Sequence, residues 1–546
     1  MYLRETRRQN KDGTTVSYLQ LAHNERHPVS RVSSTKVIHN FGRADQVDRE
    51  ALARLVRSIS RVLDPAEAAR AEASGEVSVL ASRPMGGAWV LDQLWRRLGI
   101  DRAIARVAGR RKLGPQVERV IFALVANRAL DPLSQLAAGR WTRERAYIEG
   151  LPELDSQPAY RAMDFLLGAL EELQKEIFFT VADLLNLEVD LLFFDTTSTY
   201  FETEQPDELR RRGHSKDHRP DLPQVIVGMA VTRQGIPVRV WSWAGNTNDQ
   251  ELVRQAKADL AGWALNRVLW VVDRGFASEE NRRYLQRGGS HYIMGEKLRS
   301  EGAEAQAALS RQGRYRQVAP NLRVKEVVID EGVMRDRFVI CHNPEQATRD
   351  AAVRAELVGQ LEAEIAGSDQ LPETERDALY GRLGAKPGYK RFLRRSAGGR
   401  VRIDRAAIAA ERRLDGKYLL RTSDQTLSAA DIALGYKALL EAERGWRDMK
   451  STLELRPVHH RLKDRIRAHV QLCWLALLLV RVIEVTVGDT WRNIRDELER
   501  MHLVSLATAD GQVAQRSLTT AGQRTILAAL GLPEPPRFFS FTPAAD

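Results

Sequence analysis

The apolar residues of this chain change their spacing along its length, and each change predicts a different kind of element. Residues 1–45 alternate between apolar and polar positions in short runs, which predicts a small, basic, β-rich region. Between residues 46 and 188, apolar residues recur three and four positions apart, as they do in amphipathic helices. The pattern therefore predicts a mainly helical N-terminal region behind a short strand-rich start.

An apolar run at residues 191–194 interrupts the helical pattern. It is typical of a strand buried on both faces, and Asp195 follows where the run turns polar. Aspartate disfavours strands, and an unpaired buried charge costs on the order of several kcal/mol, so we expect a compensating partner for Asp195. A cap of the following turn is the alternative explanation.

A second apolar run of the same kind, at residues 268–272, follows Arg267 and ends on Asp273. If the two strands are neighbours, both carboxylates come to one sheet edge, about 5 Å apart. Carboxylates that close repel each other, so both stay ionised only when a cation lies between them. The pattern predicts a divalent metal site with oxygen ligands, most simply Mg²⁺.

Residues 428–453 predict a helix that begins at Ser428 as N-cap and contains no proline. Glu443 shares a face of this helix with Trp446, inside a stripe of apolar residues. A solvated glutamate has no reason to lie in such a stripe, so we interpret Glu443 as a third ligand of the same site. A buried salt bridge is the alternative explanation.

Composition narrows the class of protein. The chain has 546 residues, 43% hydrophobic and 28% charged, which indicates a soluble globular protein of several domains. Its formal net charge of +11 and pI near 9.7 favour a polyanionic partner, either nucleic acid or a membrane surface. Two widely separated cysteines, Cys341 and Cys473, indicate a reducing cytoplasm. The longest apolar run, residues 472–480, is too short to span a membrane and predicts a buried helix.

The order of elements predicts the fold class. A hairpin follows the Asp195 strand, and helices then alternate with strands, which is the order of an RNase H-like α/β fold. The predicted divisions are a basic β-rich region at 1–45, a helical DNA-binding or assembly region at 46–188, the first part of the core at 189–297, a strand-containing insertion domain at 298–425, the second part of the core with the Glu443 helix at 426–490, and a C-terminal appendix at 491–546.

The motifs resemble those of one known family. Transposases of the IS-four superfamily carry the helix signature Y-x2-R-x3-E-x6-K. Tyr436, Glu443 and Lys450 match this signature in register, and Leu439 stands at its Arg position. Further matching phrases occur at residues 195–198, 215–220, 273–275 and 455–459. The chain thus resembles the DDE transposases of bacterial insertion sequences, and it looks closest to their IS-sixteen-thirty-four branch.

The resemblance implies a catalytic site in which Asp195, Asp273 and Glu443 hold two Mg²⁺ ions, for which Mn²⁺ can substitute. It implies that the protein binds the element's terminal inverted repeats, cleaves DNA and joins the 3′ ends to target DNA. It further implies a homodimer that bridges two element ends, located in the bacterial cytoplasm, on the nucleoid when bound to DNA, and not at a membrane.

Cations near the three carboxylates are candidates for DNA contacts. Lys450 lies two turns along the predicted helix from Glu443, where an ammonium group can hold a phosphate. The family assigns the position of Tyr436 to the DNA end. The remaining candidates are Lys216, Arg219, Arg456, His459 and His460. Solvated surface charge or ordinary packing is the alternative for each of them.

Two other functions fit the same motifs. A metal-dependent nuclease of the same fold would cleave DNA without joining it. A transposase-derived DNA-binding regulator would bind element ends without catalysis, although a core freed from catalysis has no need to keep three buried carboxylates. Products of cleavage and joining separate the three functions.

Overall fold

Most elements that the apolar pattern predicts are present in the computed structural model. His459, one of the predicted DNA contacts, lies outside the part of the chain that the structure describes. The described residues are 2–9, 15–26, 33–48, 50–52, 54–55, 77–185, 187, 190–203, 205–263, 268–299, 303–329, 336–458, 460–508 and 511–543.

Strands and helices are numbered here along the chain. The described strands are β1 (Tyr2–Gln9), β2 (Thr15–Arg26), β3 (Ser33–Arg43), β4 (Val77–Pro84), β5 (Leu191–Tyr200), β6 (Gln224–Val231), β7 (Pro237–Ala244), β8 (Leu269–Val272), β9 (His291–Glu296), β10 (Arg316–Ala319), β11 (Leu322–Ile329), β12 (Asp336–His342), β13 (Leu393–Arg395), β14 (Val401–Ile403), β15 (Lys417–Thr422), β16 (His502–Thr508), β17 (Gly511–Arg516) and β18 (Phe538–Pro543). The described helices are α1 (Gly86–Arg97), α2 (Ile100–Arg110), α3 (Gln116–Leu130), α4 (Gln135–Glu144), α5 (Ser156–Gly168), α6 (Leu170–Leu184), α7 (Asp249–Leu260), α8 (Glu279–Gln286), α9 (Ala303–Ser310), α10 (Pro344–Ile365), α11 (Glu373–Gly384), α12 (Pro387–Lys390), α13 (Arg405–Arg412), α14 (Ala429–Lys437), α15 (Leu439–Arg447), α16 (Lys463–Val487), α17 (Trp491–Leu498) and α18 (Ala521–Ala529).

The chain divides into two units. One unit contains residues 1–87, 145–147 and 496–546, and the other contains residues 88–144 and 148–495. The first unit holds two antiparallel sheets, with strand orders β1-β2-β3 and β18-β17-β16-β4. In the second of these sheets, β4 pairs with a strand that begins more than 400 residues later along the chain, with Val77 opposite Thr508.

The prediction of a mainly helical N-terminal region is wrong for residues 77–84, which form β4, whereas β1 to β3 lie within the predicted β-rich region at residues 1–45. The described residues before α1 are mainly strands, namely β1 to β4. A partner strand so distant along the chain leaves no local signal, which is why β4 is missing from the sequence prediction.

A nine-stranded mixed sheet forms the centre of the second unit. Its strand order is β10-β11-β12-β15-β9-β8-β5-β6-β7. Aromatic side chains pack on the central strands, where the ring of Phe194 contacts those of Trp241, Trp270 and Phe276. Residues 191–194 are fully enclosed, so the predicted strand buried on both faces is confirmed.

The segment predicted as an insertion domain is partly continuous with this sheet. β15 pairs with β9, with Leu420 opposite Gly295, and β12, β11 and β10 extend the sheet beyond it. Helices α10 and α11 and the β13–β14 hairpin enclose a separate small core around Leu361, Leu383 and Phe392. Four strands of the segment thus belong to the central sheet.

α16 is the long apolar helix of the second unit. Among the described residues it is the one helix apolar enough to cross a membrane, and 83% of its apolar window is buried inside the protein. It contacts α3, α5 and β7. The predicted buried helix is confirmed, and no membrane is implied.

Residues 428–453 are helical but not continuous. Ser428 accepts a hydrogen bond from the Asp431 backbone N–H at 3.1 Å, so the predicted N-cap is confirmed. α14 and α15 then meet at Ala438, and a π-helical turn at Asp448–Thr452 follows α15. This turn widens the helix where Lys450 lies.

Candidate active site

Two neighbouring parallel strands bring Asp195 and Asp273 to one level of the sheet. Phe194 of β5 lies opposite Val272 of β8, and each aspartate is the next residue along its chain. The prediction that the two strands are neighbours is confirmed. The strands differ beyond this point, because β5 continues with Asp195 opposite Met229 of β6, whereas β8 ends and Asp273 begins a short turn.

The side chain of Asp195 is largely buried, with 17% of its surface exposed. Burial raises the pKa of this carboxyl group, and the charges of Asp273 and Asp249 raise it further. Lys216 opposes the shift from 3.7 Å away and also bonds to the backbone carbonyl and hydroxyl of Thr196. Lys216, a predicted DNA contact, is thus the cation that faces Asp195.

Asp273 is held by an aromatic hydroxyl group. The hydroxyl of Tyr436 donates a hydrogen bond to Asp273 Oδ1 at 3.0 Å. The Tyr436 ring stacks on Tyr418, with centroids 6.1 Å apart, and the close approach of its hydroxyl leaves no room for a Cβ at Gly295. Burial raises the pKa of Tyr436, and the Asp273 charge adds to the shift. The structure therefore places this predicted DNA-contacting side chain against a predicted metal ligand.

Glu443 lies on α15 at the mouth of the same region. It lines a cavity of about 240 Å³ together with Asp273, Tyr436 and Leu440. The prediction that Glu443 lies within a buried stripe is wrong, since Glu443 is exposed and its neighbour Leu440 is 55% exposed. The apolar spacing misleads because this face of α15 lines an open cavity.

The three carboxyl groups affect one another electrostatically. Partial burial raises the pKa of Glu443, followed by the charges of Asp195 and Asp273. Within the described residues, no three His, Cys, Asp or Glu side chains are grouped tightly enough to hold a metal ion. The donor set nevertheless fits a divalent cation with oxygen ligands, because a cation offsets the burial and the neighbouring negative charges that raise the pKa values of Asp195 and Glu443.

Two predicted DNA contacts converge on an aspartate that the sequence pattern did not single out. Lys450 Nζ donates a hydrogen bond to Asp217 Oδ1 at 2.8 Å, and Arg456 Nη1 lies 2.8 Å from the same oxygen. Asp217 is one charge within a dense run of charges, so only the folded loop distinguishes it from its neighbours.

A larger cavity of about 1060 Å³ lies beside this cluster. It is lined by Tyr200, Asp217, Arg219, Arg456 and His460, among others. Arg219 and Arg456 lie over the Tyr200 ring, 5.3 and 5.7 Å from its centroid. Arg219 also pairs with Asp221, and the His460 ring packs edge-on against Tyr160. The cavity thus brings together three of the predicted DNA contacts and an aromatic residue that sequence reasoning missed.

Comparison with known families accounts for these motifs. The family model described as "Transposase DDE domain" matches residues 190–479, just over half of the chain. The chain belongs to the DDE transposases. A second model, "IS1634 family transposase, N-terminal domain", matches residues 3–71 and assigns the transposase to the IS1634 branch. The resemblance seen in the sequence is confirmed, and DNA transposition is the activity of the family.

One solved structure similar to this transposase is the piggyBac transposase synaptic complex with hairpin DNA, determined by cryo-EM. The two chains are 10% identical, and the alignment covers 77% of this chain and 74% of the other with a TM-score of 0.35. Comparison with curated proteins gave no match.

Proposed function

We propose that this transposase binds the terminal inverted repeats of its insertion sequence, cleaves the DNA there and joins the freed 3′ ends to target DNA. The observation that supports this proposal most directly is the register of β5 and β8, which aligns Asp195 with Asp273. Glu443 interacts electrostatically with both. Strand order supports an RNase H-like core, since β5, β6 and β7 are antiparallel neighbours and β8 and β9 run parallel to β5.

Asp195, Asp273 and Glu443 are the proposed catalytic residues and the proposed ligands of two Mg²⁺ ions, which Mn²⁺ can replace. When bound, such ions activate an attacking oxygen and stabilise the leaving oxygen of a phosphodiester. Carboxylates on neighbouring strands and on a helix supply the hard oxygen donors that these ions prefer. Tyr436 occupies one lone pair of Asp273 Oδ1 and so orients that carboxylate.

The cations around the carboxylates are the proposed phosphate contacts. Lys216 lies at Asp195, and Lys450 and Arg456 lie together at Asp217. Arg219, Arg456 and His460 line the larger cavity, and Tyr436 lines the smaller one, where it also remains a proposed contact to the DNA end. His459 belongs to the same proposed set. Because burial raises the pKa of Tyr436 and its hydroxyl donates a hydrogen bond to Asp273, we assign it no role as a nucleophile.

We further propose that two protomers bridge the two ends of the element in the bacterial cytoplasm. Each end carries one inverted repeat, and a symmetric pair of subunits matches a pair of related sites.

The function is tested by a cleavage and joining assay on labelled DNA that carries the element's own ends, with Mg²⁺. Glu443→Gln removes one proposed ligand charge, so we expect cleavage and joined products to fall by at least about 10³-fold. Glu362→Gln, an exposed glutamate of α10, is the matched control and should leave both products unchanged.

Three results would contradict the proposal in different ways. Cleavage without joined products would indicate a nuclease. Binding of the ends without metal-dependent cleavage in wild-type protein would indicate a regulator. Equal activity of Glu443→Gln and wild type would exclude Glu443 from the site.

A further inference from the structure

Asp217 connects the two halves of the candidate active site. It lies in the loop between β5 and β6, downstream of Asp195, and it pairs with Lys450 and Arg456, which follow the Glu443 helix. Both distances are 2.8 Å, and both cations share Asp217 Oδ1. A single carboxylate therefore fixes where two proposed phosphate-binding cations lie.

The loop holds Asp217 in place from both sides. The Lys216 backbone N–H donates to Ser198 Oγ at 2.9 Å, and the Arg219 backbone N–H donates to Ser215 Oγ at 3.0 Å. The Asp217 side chain is only 7% exposed. Because the backbone is anchored and the side chain is buried, the carboxylate is a fixed point for the two flexible cations.

Among the described residues, the Asp217 carboxylate bonds only to cations from another segment of the chain, Lys450 and Arg456. Its second oxygen, Oδ2, is buried and accepts no hydrogen bond within the described residues. A carboxylate that merely shapes its own loop bonds to nearby backbone N–H groups, as Asp207 does with those of Leu209 and Arg210. Asp217 differs from Asp207 in this respect, so its contacts point to a role at Lys450 and Arg456.

Charge balance explains why these cations need Asp217. Two positive side chains on one carboxylate leave a net positive charge, which can still attract a phosphate. Burial lowers the pKa of Lys450, and the hydrogen bond that Lys450 donates to Asp217 opposes that shift, whereas the charges of Arg456 and Lys216 add to it. Without Asp217, Lys450 and Arg456 repel each other and Lys450 loses its proton more readily.

We propose that Asp217 is a positioning residue that holds Lys450 and Arg456 at the spacing needed to grip one phosphate of the DNA beside the three carboxylates. This inference rests on the proposed function. Neutralising Asp217 shifts Lys450 and Arg456 by a small distance but leaves both cations present. The cleavage rate should therefore fall more than the affinity for DNA does.

The test is a double-mutant cycle of Asp217→Asn and Lys450→Gln in the full-length protein. Cleavage is measured in single turnover with Mg²⁺ on labelled DNA carrying the element ends. We expect Asp217→Asn alone to lower the cleavage rate by about 10- to 100-fold, as small misplacements do, with a Kd for DNA within about threefold of wild type. In the Lys450→Gln background the same change should lower the rate by a clearly smaller factor than in wild type, because one of the two groups that Asp217 positions is already missing.

A pH profile provides a readout that loss of folding would not produce. In Asp217→Asn the rate should begin to fall at a lower pH on the alkaline side, because Lys450 then faces Arg456 and Lys216 without a compensating charge. Asp217→Glu keeps the charge and should restore most of the rate. If Asp217→Asn does not fold, Asp217→Ala serves in its place, and the proposal then requires a reduced cleavage rate with an unchanged Kd for DNA.

The inference is overturned if the effects of Asp217→Asn and Lys450→Gln on the cleavage rate are independent, so that the double mutant shows their product. It is also overturned if Asp217→Asn weakens DNA binding as much as it slows cleavage. Inclusion of Glu443→Gln separates this outcome from failure of the proposed function. If wild type and Glu443→Gln behave alike, the proposed function fails. If Glu443→Gln is inactive but the Asp217 variants cleave DNA as fast as wild type, the proposed function stands and the positioning role of Asp217 is excluded.

Discussion

Tyr436 contacts a carboxylate, although its place in the helix signature assigns it to DNA. Spacing along a helix gives the face on which a side chain lies, but the partner on that face comes from a different part of the chain. Asp195 and Asp273 were predictable because each ends an apolar run. Asp217 was not predictable, since its role depends on the folded loop that carries it.

Removal of the Tyr436 hydroxyl tests whether its functional partner is the Asp273 carboxylate or the DNA end. Tyr436→Phe keeps the stack on Tyr418 and removes the hydrogen bond to Asp273. Loss of such a bond to a ligand typically weakens metal affinity by about 10- to 100-fold, so we expect half-maximal cleavage to need about tenfold more Mg²⁺. Titration of the cleavage rate with Mg²⁺ measures this shift.

Tyr284→Phe, at a tyrosine of α8 whose ring packs against Lys257 and Arg287, is the matched control and should need no additional Mg²⁺. If Tyr436→Phe binds DNA more weakly but needs no additional Mg²⁺, the hydroxyl of Tyr436 acts as a DNA contact, as the family signature implies, and does not orient Asp273.

At the scale of elements, long and strongly patterned segments were predictable and their interruptions were not. β5, β6 and α16 follow directly from their apolar residues. The break between α14 and α15 and the π-helical turn after α15 contain no proline, so the sequence carried no signal that predicts them. Lys450, which bonds to Asp217, lies within the π-helical turn.

The π-helical turn buries a carboxylate that opposes folding. Burial raises the pKa of Asp448 to about 6, and the charge of Glu484 adds to the shift. The folded pKa lies above the unfolded one, so ionisation above pH 6 destabilises the folded state, and this penalty disappears as the pH falls toward 4. We expect Asp448→Asn to stabilise the protein by about 1–2 kcal/mol at pH 7.5 after allowance for solvent screening.

Thermal melts of wild type and Asp448→Asn between pH 5 and 8 check this sign. The difference should be largest at pH 7.5 and should shrink below pH 6. Asp183→Asn, at an exposed position near the end of α6, should show no such trend. A difference that grows as the pH falls would show that the Asp448 charge stabilises the fold.

At the scale of the whole molecule, strand pairing across long stretches of chain was beyond the sequence pattern. β15 returns to β9 after more than a hundred residues, and β4 finds its partner in the last tenth of the chain. Local spacing of apolar residues specifies that a strand exists and which of its faces is apolar. It carries no information on the neighbour, which depends on packing of the assembled chain.

The net charge of +11 predicts how the whole protein responds to salt. If cations contact phosphates, the affinity for element ends falls steeply with salt concentration, with a log–log slope of about −0.9 for each contact. Arg219→Ala removes one proposed contact and should make the slope less steep by about one unit. Arg283→Ala, a surface arginine paired with Glu279, is the control and should leave the slope unchanged. A flat response of the wild type would exclude the phosphate backbone as the main partner.

The pairing of β12 with β15 also determines where this transposase can change in length. His342 ends β12 opposite Lys417, the first residue of β15, so the chain leaves the sheet and returns to it at adjacent positions. The residues between them enclose their own small core around Leu361 and Phe392. Insertions and deletions between residues 343 and 416 leave His342 and Lys417 on adjacent strands, and they leave β5, β8 and α15 in place. Related enzymes should therefore differ in length mainly in this segment, and the segment should also tolerate the insertion of a foreign domain.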